Sequence, residues 1–251
     1  MKILAFANQK GGVGKTTSAI NVAASLGVLG KKVLLLDLDP QGNASSGVGM
    51  DKNRAKLTTY EVLLEGKTIE EAAKKTSFQG LWCVPASMNL AGAELGLSSV
   101  TARESVLRRA LEQLTGFDYV IIDCPPSLGL LTLNGLCAAK GVIVPMQCEY
   151  FALEGLSQLM YTTELVKKMY NPDLKLEGVI LTMYDGRLNL SLAVAAEIRK
   201  YFPKEIFRTT VPRNVRLSEA PSHGKPVYYY DKNSKGARAY LEIAAELEKR
   251  G

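Results

Sequence analysis

Lys10-Gly11-Gly12-Val13-Gly14-Lys15-Thr16-Thr17 decides how the rest of this chain is read. The run Ile3 to Ala7 ahead of it is apolar, as a buried strand is, and Ser18 to Leu29 behind it has helical periodicity. The glycines therefore join a strand to a helix, which is the setting a phosphate-binding loop requires. Gly11, Gly12 and Gly14 let backbone N–H groups turn inward without Cβ clashes, and the helix adds the positive end of its dipole. The guest such a nest accepts is a phosphate chain. Lys15 is placed to reach the β and γ phosphates of a nucleoside triphosphate, and the Thr16 hydroxyl to ligate the accompanying Mg²⁺. Gly11, Gly12, Val13, Gly14, Lys15, Thr16 and Thr17 are the expected nucleotide contacts.

The loop departs from the ordinary G-x-x-x-x-G-K-[ST] pattern. Its first glycine is replaced by Gln9, and a second lysine, Lys10, follows. The nest occupies the side where Lys10 would have to fold back, so this lysine is free to point outward. These residues resemble the deviant Walker A ATPases, whose K-G-G-x-G-K-[ST]-[ST] loop carries a signature lysine. The resemblance implies that Lys10 contacts the phosphates bound by the other subunit of an ATP-sandwich homodimer.

Working outward, Val33 to Leu36 is an apolar strand that ends in Asp37-Leu38-Asp39-Pro40-Gln41. Carboxylates at the carboxyl end of a parallel strand sit where open α/β sheets bind ligands, and Asp37 and Asp39 share a face of the extended segment. One or both should face the γ-phosphate; the competing reading is that they cap the turn that follows. By resemblance, Asp39 positions or activates the attacking water and Asp37 is a Mg²⁺-shell or structural residue. No other partner for the Asp39 carboxylate is evident in the sequence. Tyr119 to Asp123 has the form of a Walker B strand, with Asp123 holding Mg²⁺ through water. Cys124-Pro125-Pro126-Ser127-Leu128-Gly129 then makes a stiff loop ending in a glycine hinge, similar to the family's switch II.

Thr68 to Glu71 is a capping-box signature, Leu81 to Val84 a strand, and Glu104 to Leu114 a helix with Arg108 and Arg109 on its solvated face. Trp82 reads as core or helix cover. Further strands are expected at Gly141 to Met146, Leu176 to Thr182 and Ile206 to Val211, with helices at Ala152 to Met169, up to about Tyr201, and Ser234 to Lys249. The fold class is a doubly wound, mainly parallel α/β sheet. By resemblance the base lies over the ends of the last two strands, which makes Thr182, Met183, Pro212 and Arg213 its neighbours. His223 reads as a loop histidine, since phosphoryl transfer to water needs positioning and charge more than a strong base.

The chain has 251 residues, 47% hydrophobic and 22% charged, without repeats or low-complexity linkers, so a single domain over 1–251 is expected. No apolar run approaches the roughly 18 residues of a membrane span, and the N-terminus runs straight into a strand, which points to the cytoplasm. Cys83, Cys124, Cys137 and Cys148 form no C-x-x-C pair, against a redox dithiol or zinc ribbon. The net charge is +6, and Asp185 to Arg238 carries eleven Lys or Arg against five Asp or Glu, the whole surplus. A locally basic surface suggests a polyanionic partner.

The whole chain resembles the short partition ATPases of the Soj/ParA type, most tellingly at Val211-Pro-Arg-Asn-Val-Arg-Leu-Ser-Glu-Ala-Pro-Ser-His-Gly-Lys-Pro226. The resemblance implies slow, Mg²⁺-dependent ATP hydrolysis and an ATP-bound homodimer that binds double-stranded DNA without sequence preference. It also implies discharge by a ParB (Spo0J)-like partner, a nucleoid-associated location, and no N-terminal helix-turn-helix domain. Arg187 and Arg216 are the expected DNA contacts, with Lys200, Lys225, Lys232 and Arg238 behind them; Arg213 is set aside for the base. One alternative is a membrane-cycling ATPase like MinD, although the end of this chain has three glutamates and little bulky apolar surface. Another is a metabolic ATPase like Mrp or a nitrogenase-type reductase, whose cluster cysteines have no evident match.

Overall fold

The computed structural model describes residues 1–51 and 54–250. Seven strands form one sheet: β1 (Lys2–Phe6), β2 (Val33–Asp37), β3 (Lys74–Lys75), β4 (Leu81–Val84), β5 (Tyr119–Asp123), β6 (Gly141–Gln147) and β7 (Lys175–Thr182). Their spatial order is β3-β4-β2-β5-β1-β6-β7, parallel throughout except for the β3–β4 pair. The helices longer than 3-10 turns are α1 (Lys15–Val28), α2 (Asn43–Gly47), α3 (Thr59–Leu64), α4 (Ile69–Ala72), α5 (Ala93–Leu97) and α6 (Val106–Glu112). They continue with α7 (Leu130–Ala138), α8 (Ala152–Met169), α9 (Asn189–Tyr201), α10 (Val215–Glu219), α11 (Val227–Tyr230) and α12 (Lys235–Lys249). This is the doubly wound α/β arrangement expected. β2 and β5 are buried at every residue, which is why they read as unbroken apolar runs and not as alternating ones.

Alternation still sorts the two cores. Leu4, Phe6, Leu35, Ile121 and Ile143 face α1 and α12, while Ala5, Leu34, Leu36, Ile122 and Val144 face the layer that includes α6, α7 and α8. Register matters most for the site. Asp37 and Phe6 both pair with Asp123, so β2, β5 and β1 end level with one another. The loops after β1 and β2 consequently rise on either side of the Asp123 carboxylate.

Gly27, near the end of α1, is required for its size. A Cβ there would lie 2.2 Å from the Gln79 carbonyl oxygen, in a turn whose Gly80 has φ +65°. Both parties are backbone, so neither can move aside. Gly27→Ala should therefore cost about 3 kcal/mol, read as a lowered urea midpoint with an unchanged slope.

The expected strand from Ile206 to Val211 does not form. Ile206 and Pro212 make isolated bridges to Val179 and Tyr184, and between them the chain bends away. The cause is α12: the Arg208 N–H donates to the Glu246 carboxylate (3.0 Å) and the Thr209 hydroxyl to Glu242 (3.1 Å), drawing the backbone off β7. Phe207 fills the resulting space over Gly178, where a Cβ would come within 2.3 Å of its ring. The other expected strands and helices appear within three residues of their expected bounds, α1 starting at Lys15 and not at Ser18, and both Thr68 and Thr58 make capping boxes. The Thr58 box was not anticipated.

Candidate active site

The loop from Asn8 to Thr16 is held from outside by its carbonyls and side chains. The Thr182 hydroxyl donates to the Val13 carbonyl (2.7 Å), Gln147 Nε2 to the Gly12 carbonyl (2.8 Å), and Asn8 Nδ2 to the Pro145 carbonyl (2.8 Å). Gly12 (φ +74°) and Gly14 (φ +83°) adopt the left-handed conformation that turns the peptide N–H groups inward. Among the described residues the N–H groups of Gly11 to Gly14 meet no protein acceptor. This is an anion nest at the start of the 14-residue helix α1.

Two buried charges lie at its base. Among the described residues Lys15, 7% exposed, makes no ion pair, and neither carboxylate oxygen of the fully buried Asp123 has a hydrogen-bond partner. Burial pushes the Asp123 carboxyl up to about 7, against the pulls of Lys15 and the nearby Thr16 hydroxyl and with further upward pushes from Asp37 and Asp39. An orphaned carboxylate beside an unpaired ammonium is costly unless something bridges them. A divalent cation on Asp123 and the Thr16 hydroxyl, together with phosphate oxygens on Lys15, satisfies both, so the donor set fits a triphosphate with Mg²⁺.

The two aspartates after β2 divide. Asp37 Oδ2 accepts from the Ser45 N–H (2.8 Å) and hydroxyl (2.7 Å), and Oδ1 accepts from the Asp39 N–H (3.1 Å). Ser45 Oγ in turn accepts from the Ala86 N–H, so Asp37 ties β2 to the end of β4. Burial raises its carboxyl to about 6 even so. Asp39 is buried at 6% exposure, and its Oδ1 accepts from the Gln41 N–H (2.9 Å). The expectation that its carboxylate lacks any protein partner is thus corrected: one oxygen shapes the turn, which fixes where the other points.

The switch loop leaves β5 with the Cys124 N–H bonded to the Phe6 carbonyl (3.2 Å) and enters α7 with the Leu130 N–H donating to Glu94 Oε1 (2.8 Å). Gly129 has ordinary extended backbone, φ −76°. A Cβ there would sit 2.1 Å from the carboxylate of Glu94, an exposed side chain that can swing aside, so neither backbone nor room demands glycine at this position.

Beside the nest lies a cleft of about 480 Å³, walled by Thr182, Met183, Pro212 and Arg213, the four residues expected around a base, and floored by Gly14, Thr17 and Tyr240. Sequence reasoning missed Asn214, which also lines it. Asn214 stands at the N-cap of α10 without capping it, and its Oδ1 is buried with no partner. Pro212 and Arg213 were expected there by resemblance alone, and nothing in the sequence distinguishes an idle N-cap from a working one.

Other residues lie away from this centre. Lys10 is exposed and its Nζ is ion-paired with Glu149. Arg187 is bidentate to Asp185 (2.9 and 2.7 Å), whose carboxyl it holds down at about 2. Arg216 pairs with Glu219 (2.8 Å) and Asp231 (3.4 Å). His223 stacks on Tyr230 in a surface turn and takes no part in the nest.

Comparison with known proteins agrees with this geometry. An AAA domain family model matches residues 1–176. The chain is 52% identical over its full length to the sporulation initiation inhibitor protein Soj of Bacillus subtilis, covering 99% of that protein. It is 54% identical over 99% of its length to the chromosome partitioning protein ParA of Myxococcus xanthus, covering 88% of that protein. Among solved structures, a cobyrinic acid a,c-diamide synthase from Mycobacterium smegmatis with bound ADP and magnesium is 42% identical at a TM-score of 0.86, with 99% of this chain and 94% of that one covered.

Proposed function

This chain belongs to the Soj/ParA family of partition ATPases, and from that premise we propose that it works as a nucleotide-controlled dimer that holds DNA while ATP is bound. It is a P-loop ATPase whose nucleotide is ATP and whose metal is Mg²⁺. The proposed division of labour follows the geometry. The nest from Gly11 to Thr17 and Lys15 bind the phosphates; Thr16 and Asp123 hold the metal; Asp39 orients the attacking water and takes up its hydrogen bond. When bound, Mg²⁺ would neutralise charge developing between the β and γ phosphates. Thr182, Met183, Pro212 and Arg213 enclose the adenine, and Asn214 Oδ1 offers an acceptor to its exocyclic amine. One domain spanning 1–251 carries all of these parts.

The observation that carries the switch is the position of Lys10. It stands outside the nest that its own backbone helps to form, its side chain engaged among the described residues only by Glu149 at the surface. An exposed pair of this kind contributes little, about 0–1 kcal/mol, so a partner's phosphates can displace Glu149. ATP-dependent pairing of two copies doubles the basic surface offered to DNA, with Arg187 and Arg216 as proposed contacts, and a ParB-like protein would end the bound state by stimulating hydrolysis. Against a membrane-cycling role, α12 buries Tyr240, Ile243, Ala244 and Leu247 against the core, leaving no apolar face for lipid. No helix among the described residues is long and apolar enough to cross a membrane.

The test is co-sedimentation with unrelated duplex DNA fragments in ATP, in ADP and without nucleotide, for the parent and for Lys10→Ala. The parent should sediment only with ATP; Lys10→Ala should bind ATP yet stay monomeric by light scattering and leave DNA in the supernatant. Equal DNA binding in ADP and ATP would remove the switch.

A further inference from the structure

The two arginines expected to meet DNA are already occupied by carboxylates, yet unoccupied cations line a groove elsewhere. Between residues 203–209 and the last two turns of α12 runs a groove of about 890 Å³. Arg199, Lys204, Arg208 and Lys249 line it, all exposed, and among the described residues none of their side chains has a hydrogen bond or ion pair. Its two acids are spent on the walls: Glu246 on Arg250 (2.6 Å) and the Arg208 N–H, and Glu242 on the Thr209 hydroxyl. Arg250 also donates to the Glu177, Glu205 and Ile206 carbonyls and lies 4.0 Å over the Phe207 ring, so the floor is built before any ligand arrives.

We propose that this groove is a binding site for the phosphate backbone of double-stranded DNA. The proposal rests on the DNA-binding reading above and names a surface for it. Four mobile cations spread along a furrow match a row of phosphates better than one isolated anion, which would call for converging N–H groups. None of the large apolar residues at the groove is exposed, Ile206 and Phe207 both being buried, so nothing is available to enter a lipid surface. No residue lines both the groove and the base cleft. On α12, Tyr240 meets Ser18 at the start of α1, and Arg250 is ten residues further, roughly 15 Å along the helix. DNA in the groove therefore does not touch the nucleotide, and the two are coupled through the number of grooves that a dimer presents at once.

The experiment measures binding of a mixed-sequence duplex across a salt titration with ATP and Mg²⁺, for the parent, Lys204→Gln/Arg208→Gln, and Arg187→Ala/Arg216→Ala. Light scattering and basal ATP turnover serve as controls, which the groove variant should leave unchanged, since both side chains are free of contacts. The groove variant should bind about tenfold more weakly at moderate salt and flatten the log–log salt slope by about one to two units, alike for unrelated sequences. The arginine pair should lose less, because each arginine must first leave its carboxylate. A groove variant with parental affinity and slope, beside a parent that binds, overturns the groove and leaves the switch standing. A parent that binds no DNA in any nucleotide state overturns the DNA reading and the groove with it. If the parent instead binds phosphatidylglycerol vesicles and the groove variant does not, the occupant is lipid and the proposal fails.

Discussion

Asp39→Ala protein should hold ATP about as tightly as the parent and hydrolyse it at least about 100-fold more slowly. Asp39 lies outside the nest and carries none of the donors that bind phosphate, so binding should survive its loss. Its remaining oxygen is aimed by the Gln41 contact, at the end of a strand whose neighbour carries Asp123. If Asp39 orients the attacking water as proposed, the loss should fall on kcat with little change in KM. The same variant should accumulate as the ATP-bound dimer. Normal turnover, or failure to bind ATP, would assign the water to another residue.

Lys15→Ala should lose ATP affinity by at least about 100-fold, because a buried ammonium facing phosphate oxygens is worth several kcal/mol and water cannot replace it in a closed nest. The free protein should not suffer in parallel. Lys15 is buried beside the Asp123 carboxyl and holds that carboxyl's pKa down, so in Lys15→Ala Asp123 should take up a proton, and the melting temperature without nucleotide should change little near neutral pH. Isothermal titration and thermal unfolding on one preparation separate this outcome from simple misfolding. A lysine variant that bound ATP normally would break the assignment of the nest.

The parts of the site that were legible in the sequence are those made by one contiguous stretch. Glycines between a strand and a helix, and an aspartate closing an apolar strand, declare themselves because local backbone geometry creates their function. Asp37 was harder, since only the fold brings Ser45, itself bonded to the Ala86 N–H, to its carboxylate. Long-range partners of single side chains carry no sequence signal: Glu149 for Lys10, Thr182 for the Val13 carbonyl and Glu94 at the mouth of α7 all join positions more than thirty residues apart. The missing strand after Ile206 has the same origin. Its β-forming residues were read correctly, but two glutamates on α12 claim its polar groups. The basic surplus was visible as a count, whereas which cations stay free depends on the carboxylates that the folded surface sets beside them.

The two margins of the sheet carry a consequence for polymerisation. One ends in β3, two residues long and both of them lysine, and the other is closed where Ile206 and Pro212 bridge onto the last long strand. Charged, very short or covered edges refuse a further strand. Copies crowded together at high local concentration therefore cannot extend one another's sheets into a fibre. Contact between copies then falls to side chains, and in the nucleotide-controlled dimer proposed above it would loosen when the nucleotide is consumed, leaving assembly reversible over as many rounds as there is fuel.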